Sequence, residues 1–236
     1  MARALVVEFI AGEDAGALGR WLPAAGLDLD VVRLHAGDVL PARVEHEALI
    51  VMGGKQDAFG TGEGQPETIA LLRAAMAGGT AVLGVCLGAQ LLALAAGGTV
   101  ARNPDGPEQG WGLVRKGDAC ADDPILRSLP YLPDVVHWHQ DEIATLPPGA
   151  THLLRNGITE VQGFRVGEKA WGLQCHIEVD EAMVARWADE DDVDRSLVLP
   201  FPPDVDLERT WRPVAEAFAR VARGGFTGVT LTAGTT

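Results

Sequence analysis

The 236-residue chain is poor in cysteine and in basic charge, and it contains no long apolar run. Its three cysteines, Cys86, Cys120 and Cys175, lie far apart and form no CxxC pair. A disulfide scaffold is thereby excluded, and the usage fits a reducing compartment where thiols are either buried fillers or reactive groups. Lys and Arg number 19 against 33 Asp and Glu, a formal net charge of −14. That balance argues against nucleic acid or an anionic membrane as a main partner. No stretch approaches the roughly 18 consecutive apolar residues of a membrane span. The opening run MARALVVEFI is broken at Glu8 and leads to no small-residue cleavage site, so it does not read as a secretory signal. No internal repeat is visible. The expectation is a soluble, cytoplasmic protein with one large domain and an appendage.

What is present is a strand–helix alternation over the first hundred residues. Residues 4–10 (ALVVEFI) read as a buried strand, 13–26 as a helical stretch ended by Gly26, and 27–34 as a second strand. Residues 48–52 (ALIVM) form a third apolar run, ending at Gly53-Gly54. Pro66 opens a helix through Ala77, where proline is tolerated in the first turn. Residues 81–85 (AVLGV) read as a fourth strand and 87–98 as a helix stopped by glycines. Such alternation predicts an α/β fold with a mainly parallel sheet and helices on both faces. Ligands in such sheets bind beyond the carboxyl ends of the strands, where Gly53-Gly54 and Cys86 fall. From 110 to 175, shorter runs separated by turn residues predict added antiparallel strands. A helix over 180–188, the acidic stretch 189–194, a proline-bearing connection and a helix over Leu207–Arg223 follow. The expected organisation is a domain over 1–188, then an acidic linker, a C-terminal helix and a disordered tail over 189–236. Trp211, Val214, Phe218 and Val221 give the last helix one apolar face, read as packing back onto the domain.

Residues 84–88 (GVCLG) place a cysteine between glycines at a strand-to-helix junction. A nucleophile on that turn takes strained backbone angles, and the flanking glycines let neighbouring backbone come close. The sulfur then stands at a helix N-terminus, where unpaired N–H groups favour a thiolate and the Leu87 N–H can face an oxyanion. A free cysteine taken alone is most often a small buried hydrophobe; the glycines and the junction reverse that preference for Cys86. A thiolate for acyl transfer needs a base, and the base needs an orienting group. His176 and Glu178, two apart in extended backbone, share a face and supply such a pair. The glycine-rich segment 60–64 lacks phosphate-loop spacing. His137 and His139 have no evident third and fourth ligand, so no metal is expected.

LGVCLGAQLLA together with GLQCHIEVD resembles the class I, triad-type glutamine amidotransferase family. The resemblance extends through Met52-Gly53-Gly54, Glu108–Trp111 (EQGW) and His137–Asp141 (HWHQD), over roughly residues 45–180. It implies a flavodoxin-like fold and a cysteine-nucleophile amidohydrolase with a Cys-His-Glu triad of Cys86, His176 and Glu178. Glutamine would give a γ-glutamyl thioester on Cys86 and release ammonia, and water would then free glutamate. The resemblance places Gly53, Gly54 and Leu87 at the oxyanion hole, and Gln90, His139 and Asp141 against the substrate. It implies no cofactor. The HWHQD pattern is most similar to the stand-alone group related to the glutaminase domain of GMP synthase. The residues after 180 are too few for a synthase domain, so ammonia would pass to a separate synthase partner. Two departures stand out: the family's Pro between His and Glu is Ile177, which loosens the backbone aligning the pair, and the preceding Phe is Cys175, read as a buried filler. Two other readings keep the same scaffold. One is a γ-glutamyl hydrolase or peptidase, in which only the leaving amine differs. The other is a non-enzymatic regulatory module, against which the intact Cys86, His176 and Glu178 argue.

Overall fold

The computed structural model describes residues 2–59 and 61–224. Five parallel strands form the heart of one sheet: β1 (Ala2–Glu8), β2 (Leu27–Arg33), β3 (Ala48–Val51), β4 (Ala81–Val85) and β12 (Ala170–Leu173). Their order is β2-β1-β3-β4-β12, as in a flavodoxin-like sheet. Beyond β12 the edge continues antiparallel through β11 (Gly163–Val166), β10 (Thr151–Arg155) and the short β7 (Arg115–Lys116). The expected α/β class, parallel sheet and antiparallel additions are all present.

Period-two alternation assigns the faces. Ala4, Val6 and Ile50 point into one apolar layer, and Leu5, Val7, Leu49 and Val51 into the other. The first layer is roofed by α1 (Leu18–Ala24) and α5 (Leu207–Ala222), with Trp21, Trp211 and Phe218 packed on the sheet. The second is covered by α2 (Gln65–Ala77) and α3 (Leu87–Ala95), through Ile69, Leu72, Leu91 and Leu92. The α5 stripe expected from the sequence is the buried face: Trp211 and Phe218 are fully buried, and the Trp211 indole donates to the Asp134 carbonyl at 2.6 Å.

Between α3 and β12 the chain leaves the main sheet and builds two small antiparallel ribbons. One pairs β5 (Thr99–Arg102) with β9 (Asp141–Thr145); the other pairs β6 (Glu108–Leu113) with β8 (Asp134–His139). Strands β5 and β9 are additions to the sequence reading. The helical stretch read over 13–26 is shorter than expected. Gly12 and Gly16 have φ of +90° and +46°, left-handed values that end helical geometry, so residues 9–17 form a loop. The segment read as an acidic linker begins inside α4 (Glu181–Glu190), and Leu199 further on is hydrogen-bonded to Gln109 and Trp111 on β6. The tail expected to be disordered lies outside the described residues from 225 onward. No helix among the described residues is long and apolar enough to cross a membrane.

Candidate active site

The carboxyl ends of β3, β4 and β12 lie side by side and carry Gly53-Gly54, Cys86 and His176. Cys86 has φ +50° and ψ −109°, a conformation that L-residues rarely adopt. Close packing enforces it. A Cβ on Gly84 would sit 2.4 Å from the Gly88 carbonyl oxygen, and one on Gly88 would sit 2.0 Å from that of Val51. Any side chain there would push α3 off the sheet, which is the physical content of the glycine spacing. The Cys86 N–H donates to the Leu173 carbonyl at 2.8 Å, fastening the turn to β12, which leads to His176.

His176 Nδ1–H donates to Glu178 Oε1 at 2.8 Å, and both residues are buried. Burial opposes the imidazolium, but the charges of Glu178 and Cys86 outweigh it and hold the His176 pKa well above the ordinary histidine value. The ring is fixed from three sides. Its backbone exchanges hydrogen bonds with Val136, at 2.7 and 3.0 Å, and the Trp187 ring of α4 lies 4.9 Å away. Glu178 is fixed as well, because its carbonyl accepts from Ala17 N–H at 2.8 Å. Ile177 reverses an expectation here. Far from loosening the pair, its N–H donates to Glu178 Oε2 at 2.8 Å, a bond that proline could not make. Each carboxylate oxygen thus has one donor. Cys175 is fully buried, and burial pushes its thiol pKa up, in keeping with a filler.

Cys86 lines a cavity of about 300 Å³, to whose wall His176 and Glu178 do not contribute. Gln90, His139 and Asp141, the residues that the resemblance places against the substrate, line this cavity. Gln90 Nε2 donates to the Asp141 carbonyl at 3.0 Å and to Gln174 Oε1 at 3.1 Å, and His139 Nδ1 donates to the same carbonyl at 3.1 Å. No hydrogen bond among the described residues engages the N–H groups of Gly53 and Gly54, and that of Leu87 begins α3, where intrahelical partners are lacking.

Several cavity residues were invisible to sequence reasoning. Arg102 reaches Asp57 at 3.0 Å and Asp141 at 3.4 Å; Lys55 reaches Asp191 at 2.6 Å and Glu190 at 3.1 Å. Trp138 donates its indole N–H to Asp191 at 2.9 Å, bringing the supposed linker into the cavity wall. Glu13, on the loop after β1, also lines the cavity. These residues come from separate strands, helix ends and loops, and apart from Trp138 in the HWHQD stretch no local spacing marks them.

Beneath His139, the ligand-capable atoms of Glu108, His137 and His139 lie within 4.8 Å of one another, so the structure supplies the third candidate ligand that the sequence did not reveal. The Glu108 oxygens already accept from Asn156 Nδ2 at 2.5 Å and Gln162 Nε2 at 3.0 Å. Despite the opposing effect of burial, the neighbouring His139 ring, 3.4 Å from Glu108 Oε2, and the charge of His137 draw the Glu108 pKa down to about 2. Burial lowers that of His137 to about 4. A carboxylate so engaged serves as a brace under His139.

The model of the family "Glutamine amidotransferase class-I" matches residues 16–183. The chain is 31% identical over 172 residues to the glutamine amidotransferase-like protein YfeJ of Salmonella typhimurium, covering 70% of this chain and 71% of that protein. It is 40% identical over 99 residues to the glutamine-hydrolyzing GMP synthase subunit of Methanosarcina barkeri, covering 42% of this chain and 50% of that protein. It is 28% identical over 136 residues to gamma-glutamyl peptidase 4 of Arabidopsis thaliana, covering 57% and 54%. Among solved structures, a glutamine amido transferase from Methylobacillus flagellatus superposes with a TM-score of 0.81 at 26% identity, covering both chains completely. With its sheet order, its cysteine turn and this match over most of its length, the chain belongs to the class-I glutamine amidotransferase family.

Proposed function

We propose that the protein hydrolyses the γ-carboxamide of glutamine through a γ-glutamyl thioester on Cys86, giving glutamate and ammonia. The observation that carries this reading is the strained Cys86 turn at the mouth of the cavity, backed by a buried imidazole that Glu178 holds at 2.8 Å. The raised pKa of His176 supports an imidazolium standing ready beside Cys86 before substrate arrives. As sulfur attacks, the N–H groups of Gly53, Gly54 and Leu87 receive the oxyanion, where preorganised donors have their largest effect. His176 gives its proton to the departing nitrogen and then takes one from the water that resolves the thioester. Glu178 keeps the imidazole in the required tautomer and stabilises its cation. The cavity carries both signs of charge, Arg102 and Lys55 against Asp57 and Asp141, and a γ-glutamyl head needs one cation and one anion. Gln90, His139 and Asp141 shape that end. The relationship to GMP synthase subunits supports delivery of the ammonia to a separate synthase.

A second reading, cleavage of γ-glutamyl amines or peptides, is favoured by the kinship to a gamma-glutamyl peptidase. The test is hydrolysis of glutamine and of γ-glutamyl amides, with Cys86→Ala as control. Glutamate release from glutamine, lost in the variant, supports the first reading. Release from substituted amides alone supports the second, and activity unaffected by Cys86→Ala refutes both.

A further inference from the structure

The proposed triad leaves one carboxyl of the centre unused. Glu13 is only 6% exposed, yet it makes no hydrogen bond or ion pair among the described residues. It lines the same cavity as Cys86. The point that a Cβ on Gly53 would occupy lies 2.6 Å from Glu13 Oε2, 3.1 Å from His176 Cε1 and 3.7 Å from Cys86 Cβ. Carboxyl, base and nucleophile therefore converge on one small space, and the missing side chain of Gly53 keeps it open. A carboxyl that faces the cavity with no protein partner among the described residues, beside a nucleophile, is free to meet a polar group of the substrate.

We propose that Glu13 is a catalytic acid for the leaving nitrogen, meeting the amine expelled from the γ-glutamyl group and converting it to ammonium as it departs. The inference rests on the thioester reading above and concerns release of the amine to solvent, as in the hydrolase reaction, not transfer of neutral ammonia to a synthase. When the C–N bond breaks and the C–S bond forms, the proton on His176 moves to nitrogen, leaving a neutral amine and a neutral imidazole. The amine is basic and takes the Glu13 proton, so it departs as ammonium and leaves a carboxylate. Water then attacks the thioester and gives one proton to His176, restoring the imidazolium–thiolate pair. The proton shed by the product carboxylic acid returns to Glu13. The sum is amide plus water giving carboxylate plus ammonium, with no other reactant.

The surroundings suit this cycle. Burial raises the Glu13 pKa to about 7, with His176 and Lys55 pulling it down and Glu178 and Asp191 pushing it up. A carboxyl poised there exchanges its proton readily near neutral pH.

The test compares wild type, Glu13→Gln and Glu13→Asp on two γ-glutamyl substrates. One is an alkylamide with a strongly basic leaving amine; the other is the p-nitroanilide, whose weakly basic amine leaves without becoming ammonium. The kcat/KM of Glu13→Gln should fall about tenfold or more further on the alkylamide than on the anilide, the scale of one proton transfer. Glu13→Asp, which retains an acid, should narrow that gap. Equal losses on both substrates, or no gap between Gln and Asp, would overturn the acid role while leaving the thioester reading intact. If wild type cleaves neither substrate nor glutamine, the thioester reading itself falls and takes this proposal with it.

Discussion

Replacing Glu13 with Gln should make the protein more stable in alkaline solution. The folded-state pKa is raised by burial from 4.5 to about 7. Each pKa unit corresponds to about 1.4 kcal/mol, so ionising Glu13 in the folded protein costs about 3 kcal/mol. The sign follows from proton binding: the folded state holds this proton more tightly than the unfolded chain. The stabilisation is complete below pH 4.5, declines as pH rises towards 7, and is gone above it. Glutamine has the same shape and nothing to titrate. Urea unfolding of both proteins from pH 4.5 to 8.5 gives the measurement. His176, Glu178 and the other titrating groups are common to both, so most of their pH dependence cancels in the difference. The stability of Glu13→Gln relative to wild type should rise by about 3 kcal/mol across that range. A difference that stays constant with pH would refute the claim that Glu13 is held in a proton-favouring environment. A fall would mean that the ionised form has a partner in the folded protein.

Three further outcomes follow from the geometry. Gly88→Ala should lower stability by about 3 kcal/mol or more, seen as an early thermal transition, because its Cβ would lie 2.0 Å from the Val51 carbonyl oxygen. Cys86→Gly should abolish hydrolysis yet raise the urea midpoint by an amount equivalent to about 1 kcal/mol, since glycine adopts φ +50° without strain. Ile177→Pro should reduce kcat about tenfold and shift the pH profile, because it removes the N–H that holds Glu178, whereas Ile177→Ala keeps the donor and most of the activity; equal effects from the two would assign the loss to packing.

The parts of the site built from local chain were legible in sequence. The glycine–cysteine–glycine turn works through contacts within α3 and its neighbouring strand, so spacing alone reveals it. His176 and Glu178 are two residues apart and share a face by strand geometry. The sheet's parallel heart followed from alternating apolar runs, each of which had to bury two faces. What stayed hidden is what long-range folding assembles. Glu13 was absorbed into a helix because its neighbours Gly12 and Gly16 gave no sign of their left-handed angles. Asp191 was read as part of an acidic linker, and only the Trp138 indole and Lys55, far away in the chain, draw it inward. The Ile177 departure was misread because the local pattern shows a missing proline but not the hydrogen bond that replaces it.

The adjacency of β4 and β12 has a consequence for biosynthesis. These strands hydrogen-bond in register, yet all of the two ribbons and the antiparallel edge are translated between them. Cys86 therefore emerges long before the strand that brings His176 to it. A partly made or partly unfolded chain carries an ordinary thiol with no base beside it. On the proposed mechanism the thiol gains its base only when the last parallel strand docks, so hydrolysis waits until the sheet is complete.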